Sequence, residues 1–205
     1  MPLITFEGGE GSGKTSQIAL AASRLRSRGL SVTETREPGG TAIGAKIRAI
    51  LLDVENTHLD PVAEWLLYEA DRRQHVVEEL RREVARGFVL CDRYSDTTEA
   101  YQQVGRGIDA ELVRTVDALA RNGLTPDLTL IYDLEPEEGL ARARQRDRHV
   151  GRFEGNPLEF HRRVRAAYLG IAKREPERVR VIAAAAPPDR VFEDTWRHIA
   201  ERFSL

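Results

Sequence analysis

Eight residues near the start of the chain, Gly8-Gly9-Glu10-Gly11-Ser12-Gly13-Lys14-Thr15, combine fixed glycine spacing with one lysine and one hydroxyl. The pattern is G-x-x-x-x-G-K-T. Glycines let the backbone turn tightly, so several N–H groups converge on one anion. A helix starting at the end of such a loop adds its positive dipole end. Lys14 is expected on the β/γ-phosphates of a nucleotide and the Thr15 hydroxyl on Mg²⁺. The lysine stands out. Of 31 basic residues only Lys14, Lys46 and Lys173 are lysine, the other 28 being arginine. A compact ammonium serves as a point charge on phosphate where a planar guanidinium fits poorly.

Other charged residues close short apolar runs. Asp92 follows Phe88-Val89-Leu90-Cys91, where an acid matches a Walker-B-type role in holding Mg²⁺. The alternative is a carboxylate paired with Arg93 or Arg36. Arg93 suits a phosphate held in bidentate fashion. Arg142, Arg144, Arg146, Arg148 and Arg152 form a second cluster. Phosphoryl transfer calls for cations on the migrating group, often brought by a closing lid. The competing reading is a solvated helix end balanced by Glu137 and Glu138. Tyr68 and Arg72, four apart, offer a ring to stack on and a guanidinium edge for a flat heterocycle, or else a core tyrosine beside a surface arginine. His75 is expected on a helix surface, and Cys91 as a small core residue on a strand.

The elements that must position these groups alternate. Strands are expected at 2–7, 31–36, 87–92, 128–133 and 178–183. Helices are expected at 14–28, 41–52, 61–86, 95–104, 109–122, 136–148, 157–174 and 188–203. Alternating βα units imply a parallel sheet covered on both faces, with ligands beyond the carboxyl ends of the strands. The phosphate loop, Arg36-Glu37-Pro38-Gly39-Gly40-Thr41, Asp92-Arg93-Tyr94 and Asp133-Leu134-Glu135 all fall at such strand exits.

Length and composition set bounds. A chain of 205 residues makes one domain, or one domain with a small lid. The net charge of −2 argues against a sequence-independent nucleic-acid binder. No apolar run nears the length of a membrane span, and no signal peptide is read at the start. A single cysteine fits a reducing, cytoplasmic setting. No Asn-Lys-x-Asp guanine-reading motif is present, so a small-molecule kinase fits better than a GTPase. A nucleotide-gated regulator and another phosphate-loop kinase remain as alternatives.

The full set of motifs resembles the bacterial thymidylate kinases (dTMP kinases). It comprises Phe6-Glu7-Gly8 running into the loop, Arg36 to Thr41, Leu67-Tyr68-Glu69-Ala70-Asp71-Arg72, Asp92-Arg93-Tyr94, Ala100-Tyr101-Gln102 and Gly105-Arg106-Gly107. The resemblance covers nearly the whole chain. It implies a three-layer α/β P-loop NTPase fold: five parallel strands, helices on both faces, and a small lid at about 144–157 of a single domain. It implies ATP and dTMP as substrates, ADP and dTDP as products, Mg²⁺, and a homodimer. By position, Glu10 falls near the dTMP sugar or phosphate and Arg93 on that phosphate. Tyr68 takes the place of the ring stacked on thymine, and Arg72 that of the donor to a base carbonyl. Pro38 lies near the base, and Tyr101 crowds the 2′ position. Thr98 and Gln102 fall among base or sugar contacts, Arg48 reaches toward the acceptor phosphate, and Arg142 stands on the ATP side. The loop lacks arginine, Gly11 standing where some eukaryotic relatives carry one, so the lid must supply the catalytic cation. The lid signature Asp-Arg-x-Glu is matched by Gly151-Arg152-Phe153-Glu154. This makes Arg152 the first candidate, with Arg148 competing. Ala183-Ala184 departs from the family pattern on the adenine side.

Overall fold

The structure is a computed structural model that describes residues 2–146 and 151–205. Five strands form one parallel sheet: β1 (Leu3–Gly8), β2 (Val32–Arg36), β3 (Phe88–Asp92), β4 (Leu128–Asp133) and β5 (Val179–Ala183). Their order is β2-β3-β1-β4-β5. Thr5 pairs with Cys91 on one side and Thr129 on the other, which fixes the register of the three central strands. The expected strands are all present, to within a residue at each end.

The helices are α1 (Lys14–Ser27), α2 (Ala42–Leu52), α3 (Pro61–His75), α4 (Arg81–Val84), α5 (Ser95–Thr98), α6 (Ala110–Arg121), α7 (Pro136–Arg146), α8 (Leu158–Arg174) and α9 (Pro188–Phe203). π-helical segments at Val76–Leu80 and Glu99–Gly105 continue α3 and α5. Starts are written in the sequence. Asp60 accepts from the Val62 and Ala63 amides ahead of Pro61, and Asp109 caps α6 through Leu112.

Both sheet faces are buried, with strand side chains alternating between two cores. Ile4, Phe6, Leu90 and Leu130 pack with Ile18, Leu25, Trp196 and Ile199 of α1 and α9. On the other face Leu3, Val89 and Cys91 meet Val76, Leu80 and Tyr94, while Ile131 and Val179 pack with Val164, Tyr168 and Ile171 of α8. At about 25 cal/mol per Å² of apolar surface removed from water, this double burial dominates the fold's stability. It also sorts the polar residues. Asp92 shares the α1 side with Leu90. Glu7 faces α8, on the side of Leu3 and Thr5.

Candidate active site

The phosphate loop lies between the end of β1 and the start of α1. Gly11 has φ of 66°, and a Cβ there would stand 2.1 Å from the Gly139 carbonyl oxygen. Glycine at both positions lets α7 press directly on the loop. Gly13, also left-handed, occupies the α1 N-cap with no capping side chain, which leaves first-turn amides available for an anion. Lys14 Nζ donates to the carbonyls of Gly8 (3.2 Å) and Gly9 (2.8 Å) and to Ser12 Oγ (3.2 Å). Burial, reinforced by the charge of Arg93, lowers its ammonium to about 8. Thr15 Oγ1 donates to Asp92 Oδ2 at 3.1 Å, so the two expected metal-side residues do meet. Their hard oxygens fit Mg²⁺. Among the described residues no cluster of three or more His, Cys, Asp or Glu could hold a metal by itself. A cation here would therefore depend on water and nucleotide oxygens as well.

One residue after Asp92 the chain reverses: Arg93 adopts φ of 69°, a conformation uncommon outside glycine and frequent at functional sites. The turn sends Asp92 toward α1 and Arg93 toward a second compartment. There Arg93 donates to Tyr168 Oη (3.2 Å), Thr97 Oγ1 and Tyr101 Oη (both 3.4 Å), and lies 3.6 Å from Glu10. Glu10 accepts from Tyr101 Oη at 2.6 Å and pairs with His161 Nδ1 at 3.3 Å. Burial alone would raise its carboxyl. The His161 hydrogen bond, the Arg93 charge and the Tyr101 hydroxyl outweigh burial and hold it at about 2. Glu7 behaves oppositely, pushed up to about 7 by burial and by the charge of Asp96. It accepts from the Tyr94 amide and from the Thr97 and Tyr168 hydroxyls, which fixes the platform that carries Arg93.

Beyond Arg93 opens a cavity of about 290 Å³. Pro38, Arg48, Tyr68, Tyr101, Gln102 and Phe153 are among its walls. Gln102 is 1% exposed, and neither its Nε2 nor its Oε1 has a hydrogen-bond partner. Buried amides are rarely left so unless a ligand or an ordered water completes them. Arg48 donates to the Pro38 carbonyl at 2.8 Å. Tyr68 is on the wall as expected, but Arg72 is not. Arg72 is buried behind the wall, with Nε on Glu37 (2.9 Å), Nη1 shared among Glu69, Thr98 and Asp117, and Nη2 on the Tyr94 carbonyl (3.0 Å). It is a charge hub first, and one Nη2 hydrogen is all that remains for a ligand. Thr98, likewise buried, accepts from Arg72 and keeps its own hydroxyl hydrogen.

His75 corrects the expectation of a surface residue. It is fully buried, bonded through Nδ1 to Glu37 (2.9 Å) and through Nε2 to Thr35 (2.8 Å). The space exists because residue 40 is glycine: a Cβ there would stand 2.4 Å from the imidazole Nε2.

The arginines expected on a lid divide. Arg152 Nη1 donates to Glu64 at 2.6 Å and to the Leu51 carbonyl at 3.2 Å. It thus lines the cavity beyond Arg93, bound to α3, and is not drawn to the phosphate loop. Arg148 lies outside the described residues. Arg142 bonds Glu138 (2.6 Å) and the Ala184 carbonyl (3.0 Å), combining the surface pairing with a position beside the end of β5. At the β4 exit Asp133 is taken up in bidentate fashion by Arg165. Glu7, His161, Glu64 and Phe153 carried no role in the sequence reading. Only Glu7 left a signal, a carboxylate inside an otherwise apolar strand.

A five-stranded parallel sheet, a phosphate loop at the tip of β1 and a neighbouring cavity floored by an arginine define a phosphate-loop nucleotide kinase. Comparison sharpens this. The family model described as thymidylate kinase matches residues 6–195. A thymidylate kinase of Solidesulfovibrio magneticus is 48% identical, covering 94% of this chain and 96% of its own length. One from Deinococcus radiodurans is 46% identical over 97% and 96% respectively. The crystal structure of thymidylate kinase from Ehrlichia chaffeensis superposes with a TM-score of 0.77 at 33% identity, covering 97% of this chain and 98% of that one. The chain belongs to the thymidylate kinase family and is a nucleoside monophosphate kinase.

Proposed function

We propose that the chain transfers the γ-phosphoryl group of ATP to dTMP, giving ADP and dTDP for dTTP synthesis. A dTMP phosphate oxygen attacks the γ-phosphorus, and the bond to the ADP β-phosphate oxygen breaks. The acceptor phosphate is already a nucleophile near neutral pH, so positioning and charge neutralisation carry the catalysis. Lys14 and the loop amides from Gly8 to Thr15 take the donor phosphates, with Arg142 on the nucleoside side. Thr15 and Asp92 would hold Mg²⁺, which when bound neutralises phosphate charge. Arg93 holds the dTMP phosphate and Arg48 supports it. Glu10, fixed by Tyr101 and His161, meets the sugar, and Tyr101 narrows the 2′ position. The lid over 144–157 adds cation density: Arg152 at the acceptor end, and Arg148 as the candidate for the transferred group.

The observation that carries this reading is Gln102. An unpaired amide offers one acceptor and one donor group, complementary to the N3–H and an adjacent carbonyl of thymine. Tyr68 and Pro38 bracket the ring, and the spare hydrogen of Arg72 favours a carbonyl over the amino group of cytosine. The test is ADP release with dTMP, dUMP, UMP, dCMP, AMP, GMP and thymidine as acceptors. Preference for dTMP is expected; preference for a purine monophosphate, or no turnover, defeats the assignment.

We also propose a homodimer in the cytoplasm. Ile43 and Ile50 on α2, Val62 and Leu66 on α3, and Leu112 and Leu119 on α6 remain exposed. These helices pack side by side, and a second copy would cover that face.

A further inference from the structure

Arg106 sits in Gly105-Arg106-Gly107, a motif that neither phosphate compartment uses. Its guanidinium joins three separate elements. Nε and Nη2 each donate to the Glu64 carboxylate at 3.2 Å, and Nη1 donates to Asn156 Oδ1 at 2.9 Å. Its plane lies over Phe153 and Phe160, 5.7 and 5.1 Å from the ring centroids. Glu64, in the first turn of α3, is 1% exposed and also accepts from Arg152 at 2.6 Å. Asn156 Nδ2 closes the segment by donating to the Phe153 carbonyl at 2.8 Å. Residues 152–156 are therefore tied at both ends to one buried carboxylate. Between the ties, Phe153 stands edge-on to Tyr101 at 5.6 Å and tilted against Tyr68 at 6.4 Å.

We propose that Glu64 and Arg106 are positioning residues for the acceptor. They form a charge clamp that seats residues 152–156 as a wall of the acceptor cavity and so set acceptor affinity without touching the phosphates. The link to dTMP rests on the function proposed above; the clamp itself does not. The arrangement is close to all-or-none. Without the anion, two guanidinia face each other in a poorly solvated place, and their repulsion drives the segment off the cavity.

The test replaces Glu64→Gln, which keeps shape and removes charge, and reads two quantities. The first is backbone amide hydrogen exchange across 151–156 in the ligand-free protein. The second is the set of steady-state constants for dTMP and ATP. Exchange at 151–156 should rise about tenfold or more and the dTMP KM roughly tenfold, with the ATP KM and kcat within about threefold. Arg106→Lys keeps the charge but cannot bridge Glu64 and Asn156 together. It should give a smaller change of the same kind, and it carries the test if Glu64→Gln does not fold. Unchanged exchange in the folded variants overturns the clamp. So does a fall in kcat with a similar rise in both KM values alongside a lowered Tm, which would make Glu64 mere structural support. If exchange rises while even the unsubstituted protein ignores dTMP, the clamp stands and the assigned substrate falls.

Discussion

Replacing Arg72 by methionine tests whether the layer behind the wall of the Arg93 cavity is held by charge. Arg72 is 2% exposed and meets three carboxylates within 3.1 Å: Glu37, Glu69 and Asp117. Their losses are unequal. Glu37 keeps His75 and Asp117 keeps Arg121 at 2.6 Å. Glu69 keeps only the Trp65 indole at 3.3 Å and loses its one cation. The cost is thus that of one broken buried pair, about 3–5 kcal/mol, and not three. For a chain of this size that is a Tm lower by about 10 °C. The pH dependence adds a sharper criterion. Burial already raises the Glu69 carboxyl against the pull of Arg72, so the substitution raises it further. The folded variant then binds a proton more tightly than the unfolded chain, and its stability falls as pH rises through the raised value. Calorimetric melts should show the deficit shrinking as the pH is lowered toward the ordinary carboxylate range. Adding Glu69→Gln should restore about 1 kcal/mol or more at the higher pH. A loss below about 1 kcal/mol, or a deficit that grows on acidification, refutes the reasoning.

Four further outcomes are expected. Arg93→Ala should raise the acceptor KM and lower kcat, cutting kcat/KM for dTMP by about 100-fold or more, while ATP binding measured by calorimetry changes little; unaltered acceptor kinetics would remove Arg93 from the site. Because burial depresses Lys14 to about 8, the free enzyme loses that charge as pH rises, and kcat/KM for ATP should fall above that point. A profile flat through alkaline pH contradicts the burial argument. Gly11→Ala must shift α7 or strain the loop, and the ATP KM should rise by about tenfold with a modest loss of Tm; wild-type kinetics would mean the Gly11–Gly139 contact is easily relieved. Leu119→Glu, at a side chain 72% exposed, should shift sedimentation from dimer toward monomer. An unchanged dimer would place the interface elsewhere.

The fold was legible because its signals are local. Apolar runs buried on both faces mark the strands, and glycine spacing with Lys14 and Thr15 marks the loop. Thr15 and Asp92 could be paired from their positions at a helix start and a strand end. What stayed hidden depends on partners distant in sequence. α3 carries Glu64, Glu69, Asp71, Arg72 and His75 on buried positions, and such a helix reads as solvated until Glu37, Arg106 and Asp117 arrive from elsewhere. Arg152 was expected at the transferred phosphate because of its motif; Glu64, 88 residues away, decides where it rests. His161 left no trace in the pattern, since a lone histidine on a helix says nothing of the Glu10 it will meet.

The near-absence of lysine has a last consequence. The cations that organise the interior, Arg72, Arg93, Arg106 and Arg178, are guanidinia, which do not release their proton in water. Alkali therefore dismantles none of these ion pairs from the cationic side, and the buried ammonium that can let go is the one on the phosphate loop. Acid works the other way, through Glu10, whose carboxyl its partners hold at about 2 against burial, so that the stability it contributes is lost as pH falls toward that value. The molecule thus meets the two extremes differently: base discharges the ammonium on its phosphate loop, and acid discharges a carboxylate buried beside Arg93.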